Sequence, residues 1–163
     1  MGCDMYTKIE VKSIDSNEWC EYIFENGWMP FNWRDYDVYG FLANVRNYSE
    51  VPFLSDCRWL PLDVSKSIEE CFDDNGYLHG THSITYLTLR ELVEFDYDKT
   101  FQDMRHTEQE SQGFFNGATR SKTRGVTITF RDFLGEDFFK DIEKLVERTK
   151  DLDSLRLIFG FDS

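Results

Sequence analysis

The sequence predicts a single α+β domain: one mixed sheet containing the N- and C-terminal strands, with three to four helices packed on it. Apolar and polar residues alternate near the N-terminus, as in a half-buried strand, whereas apolar residues three and four apart are typical of amphipathic helices. The chain has 163 residues, of which 40% are hydrophobic. A chain of this length buries about two thirds of its unfolded surface, which is enough for one core.

The N-terminal region predicts a β-hairpin. Residues 3–11 (CDMYTKIEV) alternate in their second half, and residues 18–24 (EWCEYIF) alternate less regularly. Turn-forming residues at 15–17 (DSN) separate the two segments. The segments are therefore expected to pair as neighbouring strands.

A helix is predicted over 36–47, with Asp37 as its N-cap, because apolar residues repeat there at intervals of three and four. Residues 48–64 contain Pro52 and Pro61 and few periodic signals, so they predict a long ordered connection over the core. Long connections of this kind are uncommon in compact domains and often hold function.

A short helix is predicted to begin at Ser65 or Ser67 and to end at a DDNG turn. A strand at 83–87 follows it. Thr88 and Glu91 form the Thr-x-x-Glu pattern of a capping box, which predicts a helix whose apolar residues are Leu89, Leu92 and Val93.

The last third of the chain predicts a strand at 125–133, a helix at 136–149 and a second strand at 155–161. The helix residues expected to face inward are Phe138, Phe139, Ile142, Leu145 and Val146. A strand, helix, strand order indicates a right-handed crossover within one sheet. The polar stretch 102–124 has no usable period and predicts a mobile loop.

The chain is strongly acidic, with 18 Lys and Arg against 31 Asp and Glu and a formal net charge of −13. This balance argues against direct binding to nucleic acid or to an anionic membrane, because both require clustered cations. Two interpretations stay open. The charge steers the protein toward a partner with a basic surface, or it provides only solubility.

The cysteines, at positions 3, 20, 57 and 71, include no Cys-x-x-Cys pair, and no apolar run reaches the length of a membrane span. With no secretory signal ahead of them, they are expected to be reduced thiols in a cytoplasmic protein. The soft metal ligands of one region are Cys57, Cys71, His79 and His82, but their spacing fits no zinc-site pattern. We expect neither a metal nor another cofactor.

Five stretches of the chain resemble one family: MGCDMY, DYDVYGFLANVRNY, CRWLPLDVS, THSITYLTLREL and RLIFGFDS. The family is that of small phage-encoded proteins that open with MGCDIH. The resemblance extends from the start of the chain to its end, and it implies a phage source and a shared fold without supplying an activity. Tyr6 and Ile84 stand where the family has histidines, and Gly160 replaces an aromatic residue.

The matched stretches supply a set of candidate ligand-binding residues: Asp4, Arg46, Asn47, Arg58, Asp63, His82 and Ser83. An arginine beside an asparagine at a helix end, with a second arginine on a loop, is able to form a fork for phosphate or carboxylate. In the competing interpretation, Arg46 caps its helix and pairs with acidic neighbours. The segment at 117–125 (GATRSKTRG) superficially resembles a phosphate loop but lacks the glycine before the lysine.

Two functions are carried forward, and enzymatic activity is not favoured because no set of residues is preferred as catalytic. The first is a phage accessory protein that binds a host protein in the cytoplasm of the infected bacterium, for instance to inhibit a defence factor. The alternative is a small-ligand module that binds or hydrolyses a nucleotide or another phosphorylated metabolite through Arg46, Arg58 and His82. No oligomeric state is predicted.

Overall fold

The computed structural model describes residues 2–105 and 125–163. Within these ranges the chain forms six strands and four α-helices in one compact domain, which confirms the predicted α+β class. The strands are β1 (Asp4–Lys12), β2 (Trp19–Glu21), β3 (His82–Thr88), β4 (Thr100–Asp103), β5 (Val126–Thr129) and β6 (Leu155–Asp162). The helices are α1 (Tyr36–Ala43), α2 (Lys66–Phe72), α3 (Leu89–Glu94) and α4 (Phe130–Arg148).

The main sheet has the strand order β2-β1-β6-β3. As predicted, it contains the N- and C-terminal strands, which pair from Asp4 opposite Asp162 to Val11 opposite Leu155. The predicted N-terminal hairpin is also confirmed, since β1 and β2 are antiparallel neighbours. The sheet is antiparallel throughout rather than mixed, because β6 enters between β1 and β3 and runs opposite to both.

The two faces of the main sheet carry separate apolar clusters, because side chains alternate along each strand. The larger cluster packs α1, α3 and α4 against the face that contains Ile9, Leu157 and Phe159. The smaller one packs α2 against the face that contains Ile84 and Ile158. The domain is therefore a sheet covered by three helices on one side and by one short helix on the other.

α1 is shorter than predicted, and its N-cap is Asp35 rather than Asp37. The Asp35 carboxylate accepts a hydrogen bond from the Asp37 N–H at 2.9 Å, because the helix already begins at the residue between them. At the other end Asn44 adopts a φ of 58°, and this left-handed conformation ends the helix at Ala43. The predicted extension to residue 47 is therefore wrong.

The capping box at the start of α3 is confirmed. The Glu91 N–H donates to the Thr88 hydroxyl at 3.2 Å, and the Thr88 N–H donates back to the Glu91 carboxylate at 2.9 Å. Leu89 and Leu92 are buried as expected, but Val93 is 36% exposed. The predicted short helix is α2, which begins directly after Ser65.

The predicted crossover into one sheet is wrong, because β5 pairs with β4 in a separate two-stranded sheet. The strand predicted at 125–133 stops at Thr129, whose hydroxyl accepts from the Asp132 N–H at 3.1 Å and so starts α4. α4 bends at Gly135, where φ is 78°, and the helix predicted from residue 136 is its longer part. No helix in the described ranges, α4 included, is long and apolar enough to cross a membrane.

The loop predicted at 102–124 begins too early, since its first two residues belong to β4. β4 was missed because it is only four residues long and lies in a polar stretch. Residues 106–124 of the predicted loop lie outside the described residues.

Candidate functional site

The seven candidate residues do not form one pocket. Asp4, Arg46, His82 and Ser83 lie near the end of the main sheet where β1 begins and β6 ends. Asn47 lies in the turn after α1, Arg58 lies against β3 and α3, and Asp63 lies over the far half of β1 and β6. Each group has partners of its own.

Asp4 is held by an arginine that was not among the candidates. The Arg34 guanidinium donates two hydrogen bonds to its carboxylate, each 2.8 Å long. Both side chains are about half exposed. Such a fork occupies both carboxylate oxygens, so Asp4 is engaged by the protein itself.

Arg46 lies beside a buried thiol. Its guanidinium donates to the Tyr48 hydroxyl at 3.3 Å and also contacts the Cys3 side chain. Burial raises the pKa of the Cys3 thiol, and the nearby Arg46 offsets that shift only in part. Cys3 is therefore a protonated core residue, which does not suit a thiolate nucleophile.

His82 lies between two hydroxyls at the surface. Its Nδ1 is 3.0 Å from the Ser83 Oγ, and its Nε2 is 3.2 Å from the Ser163 Oγ. Ser83 has a φ of 53° and lies where the pairing of β3 with β6 shifts register. No carboxylate of the described residues hydrogen bonds to the imidazole, so the group that orients a catalytic base is missing from that part of the chain.

Asn47 closes the turn after α1. Its amide donates to the Asn44 side chain and to the Val51 carbonyl, and it accepts from the Val51 N–H, each at 2.9 Å. It also packs on Gly40, where an added Cβ would lie 2.9 Å from the Asn47 Oδ1. These contacts give Asn47 a structural role and explain why position 40 is glycine.

Arg58 ties the connection 48–64 to α3. Its guanidinium donates to the Tyr86 and Leu54 carbonyls at 3.2 and 3.3 Å and pairs with Glu91 at 2.7 Å. Burial raises the pKa of the Glu91 carboxyl, but the bonds from Arg58 and from the α3 capping box outweigh it and hold that pKa below its ordinary value.

We expect Arg58→Ala to lower the free energy of unfolding at pH 7 by about 1–2 kcal/mol, because a charge-assisted network is lost from a partly exposed site. The pKa of the Glu91 carboxyl is lower in the folded protein than in the unfolded chain, so its ionised form stabilises the fold above the pKa of the unfolded chain. This stabilisation is lost as the pH falls through the pKa of the folded protein. The difference from wild type should therefore shrink below the ordinary glutamate pKa of 4.5.

Urea unfolding at pH 7 and at about pH 4 measures both effects. Arg46→Ala is the control, since Arg46 contacts a tyrosine hydroxyl and a thiol but pairs with no carboxylate of the described residues. Equal stability of wild type and Arg58→Ala at pH 7 would contradict a structural role for Arg58.

Asp63 is itself 66% exposed, but it forms an ionic network with the buried Arg156 and Glu10 that sequence reasoning missed. Arg156 donates to the Glu10 carboxylate at 2.6 Å and to Asp63 at 2.8 Å, and it lies over the Trp19 ring. The hydrogen bond from Arg156 lowers the pKa of the Asp63 carboxyl. The signal in the sequence was one charged residue in each of two apolar strands, Glu10 and Arg156. That signal does not reveal that these two residues, 146 positions apart, form a pair.

No metal site is visible among the described residues, where no three His, Cys, Asp or Glu side chains are placed to hold an ion. All four cysteines lie in this part of the chain and are free thiols. The His79 ring bonds the Gly76 carbonyl at 2.8 Å. The segment resembling a phosphate loop lies outside the described residues, except for Gly125.

The connection 48–64 exposes two large apolar side chains on unusual backbone. Trp59 is 57% exposed and Leu62 is fully exposed, while Leu60 between them packs on the smaller core. Cys57 and Trp59 have positive φ values of 30° and 66°. Such backbone is costly for residues with a side chain and is found most often at functional sites.

Compared with known proteins, the chain matches no family model, no curated protein and no solved structure.

Proposed function

We propose that this chain is a phage-encoded accessory protein that binds a host protein with a basic surface in the cytoplasm of the infected bacterium, inhibiting a host defence factor. Binding to a basic partner is supported by a contrast: the arginines are engaged by other residues of the protein, whereas many carboxylates are not. The eight arginines of the described ranges all have a carboxylate, hydroxyl or aromatic partner. Six of them pair with a carboxylate, Arg46 donates to a hydroxyl and Arg148 lies over the Tyr22 ring, so most of the guanidinium charge in this part of the chain is already neutralised.

Many carboxylates, in contrast, have no cationic partner. On α2 and the turn after it, Glu69, Asp73 and Asp74 are exposed and form no ion pair with the described residues. With a net charge of −13, the surface potential attracts basic macromolecules and accelerates their association.

Trp59 supplies the apolar contact that such a complex needs. Exposed tryptophans are strongly enriched among the residues that dominate binding energy at protein interfaces. Its backbone is fixed at one end by the Trp59 N–H, which donates to the Ile84 carbonyl at 2.9 Å. An exposed aromatic side chain on an anchored backbone favours a protein partner over solubility as the reason for the acidity.

The alternative, a small-ligand module built on Arg46, Arg58 and His82, has less support. Arg58 forms an ion pair with Glu91, and Arg46 donates a hydrogen bond to the Tyr48 hydroxyl. The His82 ring lies within hydrogen-bond distance of two serine hydroxyls. A phosphate site requires such groups to point at one position with their donors free.

We expect the immobilised protein to retain a basic protein from host-cell extract at about 50 mM salt and to release it at about 500 mM, because screening weakens contacts between exposed charges. With the purified partner, the association rate should fall steeply with salt while the dissociation rate changes little. Trp59→Ala should increase the dissociation rate, with Ile23→Ala as the control for an exposed apolar side chain on another segment.

Two results would contradict this proposal. One is that no protein is retained at low salt beyond a bait of equal charge and unrelated sequence. The other is thermal stabilisation of the wild type by a nucleotide that fails to stabilise Arg46→Ala and Arg58→Ala, which would establish the ligand module instead.

A further inference from the structure

A groove begins between α3 and α4 and continues along α4. Its first part is a cavity of about 470 Å³ whose floor includes Leu92, Phe139 and Ile142. A second cavity of about 580 Å³ shares Phe139 and continues along α4 past the bend at Gly135. We call these two adjoining cavities the α3–α4 groove.

The groove exists because the apolar stripe of α4 is wider than the surface that the core covers. The helical period places Val146 on the inward face with Ile142 and Leu145, yet Val146 is 37% exposed. Val93 on α3 is 36% exposed and lines the same groove. Among the described residues, nothing covers this apolar strip.

The rim of the groove is acidic. The carboxylates that line it are Asp132, Glu136, Glu143 and Glu147, and none of them forms an ion pair with another described residue. Two cations also line the groove, but each forms an ion pair with a carboxylate that does not line it. Arg131 pairs with Asp98 at 2.9 Å, and Lys140 pairs with Asp137 at 3.5 Å. An apolar floor with unpaired carboxylates above it is complementary to an apolar strip flanked by lysine or arginine.

We infer that the α3–α4 groove binds a cationic amphipathic helix of the partner protein; this inference rests on the proposed function and assigns it a site. The ligand is a helix because every residue that lines the two cavities, apart from Tyr97, lies on α3 or α4, and helix backbone groups are bonded internally and offer no strand edge. A segment lying over the apolar floor must then satisfy its own backbone hydrogen bonds, as a helix does. A second copy of this chain is unsuitable, since each copy carries a charge of −13.

The test uses an end-labelled synthetic peptide of about 18 residues, with leucine on one helical face and lysine on the other. A second peptide has the same composition in scrambled order, so it has the same charge and no apolar face. Fluorescence anisotropy should show that the wild-type protein binds the amphipathic peptide at least about tenfold more tightly than the scrambled one. Circular dichroism should show the amphipathic peptide becoming helical when bound.

Two matched pairs of variants locate the site. Glu143→Lys with Glu147→Lys should weaken binding of the amphipathic peptide by about tenfold or more. Asp15→Lys with Glu18→Lys changes the net charge equally at two exposed positions between β1 and β2, outside the groove, and should weaken binding less than about threefold. Val93→Ser with Val146→Ser should weaken binding of the amphipathic peptide alone. Val126→Ser, at an exposed position outside the groove, should leave it unchanged.

Equal affinity for the two peptides, or equal losses in the two charge-reversed variants, would overturn the groove as a site. Dimers that form at higher concentration and disappear in Val93→Ser with Val146→Ser would also overturn it, because a second copy would then be the occupant. If the peptide binds but host extract yields no salt-sensitive partner, the groove stands and the proposed function is contradicted. A host partner retained equally by the wild type and by Glu143→Lys with Glu147→Lys supports the proposed function and overturns the groove.

Discussion

Replacing Arg156 with methionine is expected to lower the free energy of unfolding by about 3–5 kcal/mol, because it leaves a buried carboxylate without its counter-charge. Glu10 is 0% exposed and Arg156 is 5% exposed. Once the arginine is gone, the described partner of the Glu10 carboxylate is the Ser65 N–H, at 2.6 Å. Urea or thermal unfolding monitored by circular dichroism measures the loss.

The double variant Glu10→Met with Arg156→Met separates the cost of a stranded charge from the cost of lost packing. Removing both charges should recover most of the stability, since well-packed apolar groups often replace a buried ion pair without loss. Arg90→Met is the control, because Arg90 and its carboxylate partners are exposed, and it should change stability little. An Arg156→Met variant within about 1 kcal/mol of wild type would show that the network is not needed for stability.

Truncating Phe138 to alanine is expected to cost about 3–5 kcal/mol, because it opens a cavity at the centre of the larger core. Phe138 is 0% exposed. Its ring stacks on Phe31 at 5.0 Å and meets Phe41 and Tyr97 edge-on, each at 5.9 Å. The same residue joins α4 to α1 and to the segment before α1, so no single neighbour is able to fill the gap.

Phe53→Ala is the matched control for Phe138→Ala, because Phe53 is 42% exposed and its loss should stay below about 0.5 kcal/mol. Denaturant unfolding of both variants gives the comparison. A loss below about 1 kcal/mol for Phe138→Ala would mean that α4 does not pack as described.

In the site that we propose, α4 serves both folding and binding. Phe138 and Leu145 are buried in the larger core, whereas Val146 lines the α3–α4 groove. Stability and binding are therefore separable. Substitutions at Val146 should affect the partner more than the fold, and substitutions at Phe138 should do the reverse.

Local patterns in the sequence were sufficient for the elements whose causes are local. The capping box at Thr88 and Glu91, the strand at 155–161 and the buried face of α4 each depend on residues a few positions apart. The α+β class followed from the same periodicities, and the expectation that both ends of the chain share one sheet is confirmed. The acidity, and the preference for a basic partner that we propose, needed only composition.

Only the tertiary structure decided which distant residues meet. In the structure β5 pairs with β4 rather than with the main sheet. Arg156 forms ion pairs with Glu10 and Asp63, and Arg58 forms one with Glu91. A periodic pattern reports which side of a strand or helix is apolar, but not which other element covers that side. Val93 and Val146 show this limit: the sequence determined that they are apolar and on the inward stripe, and packing left them at a groove instead of in the core.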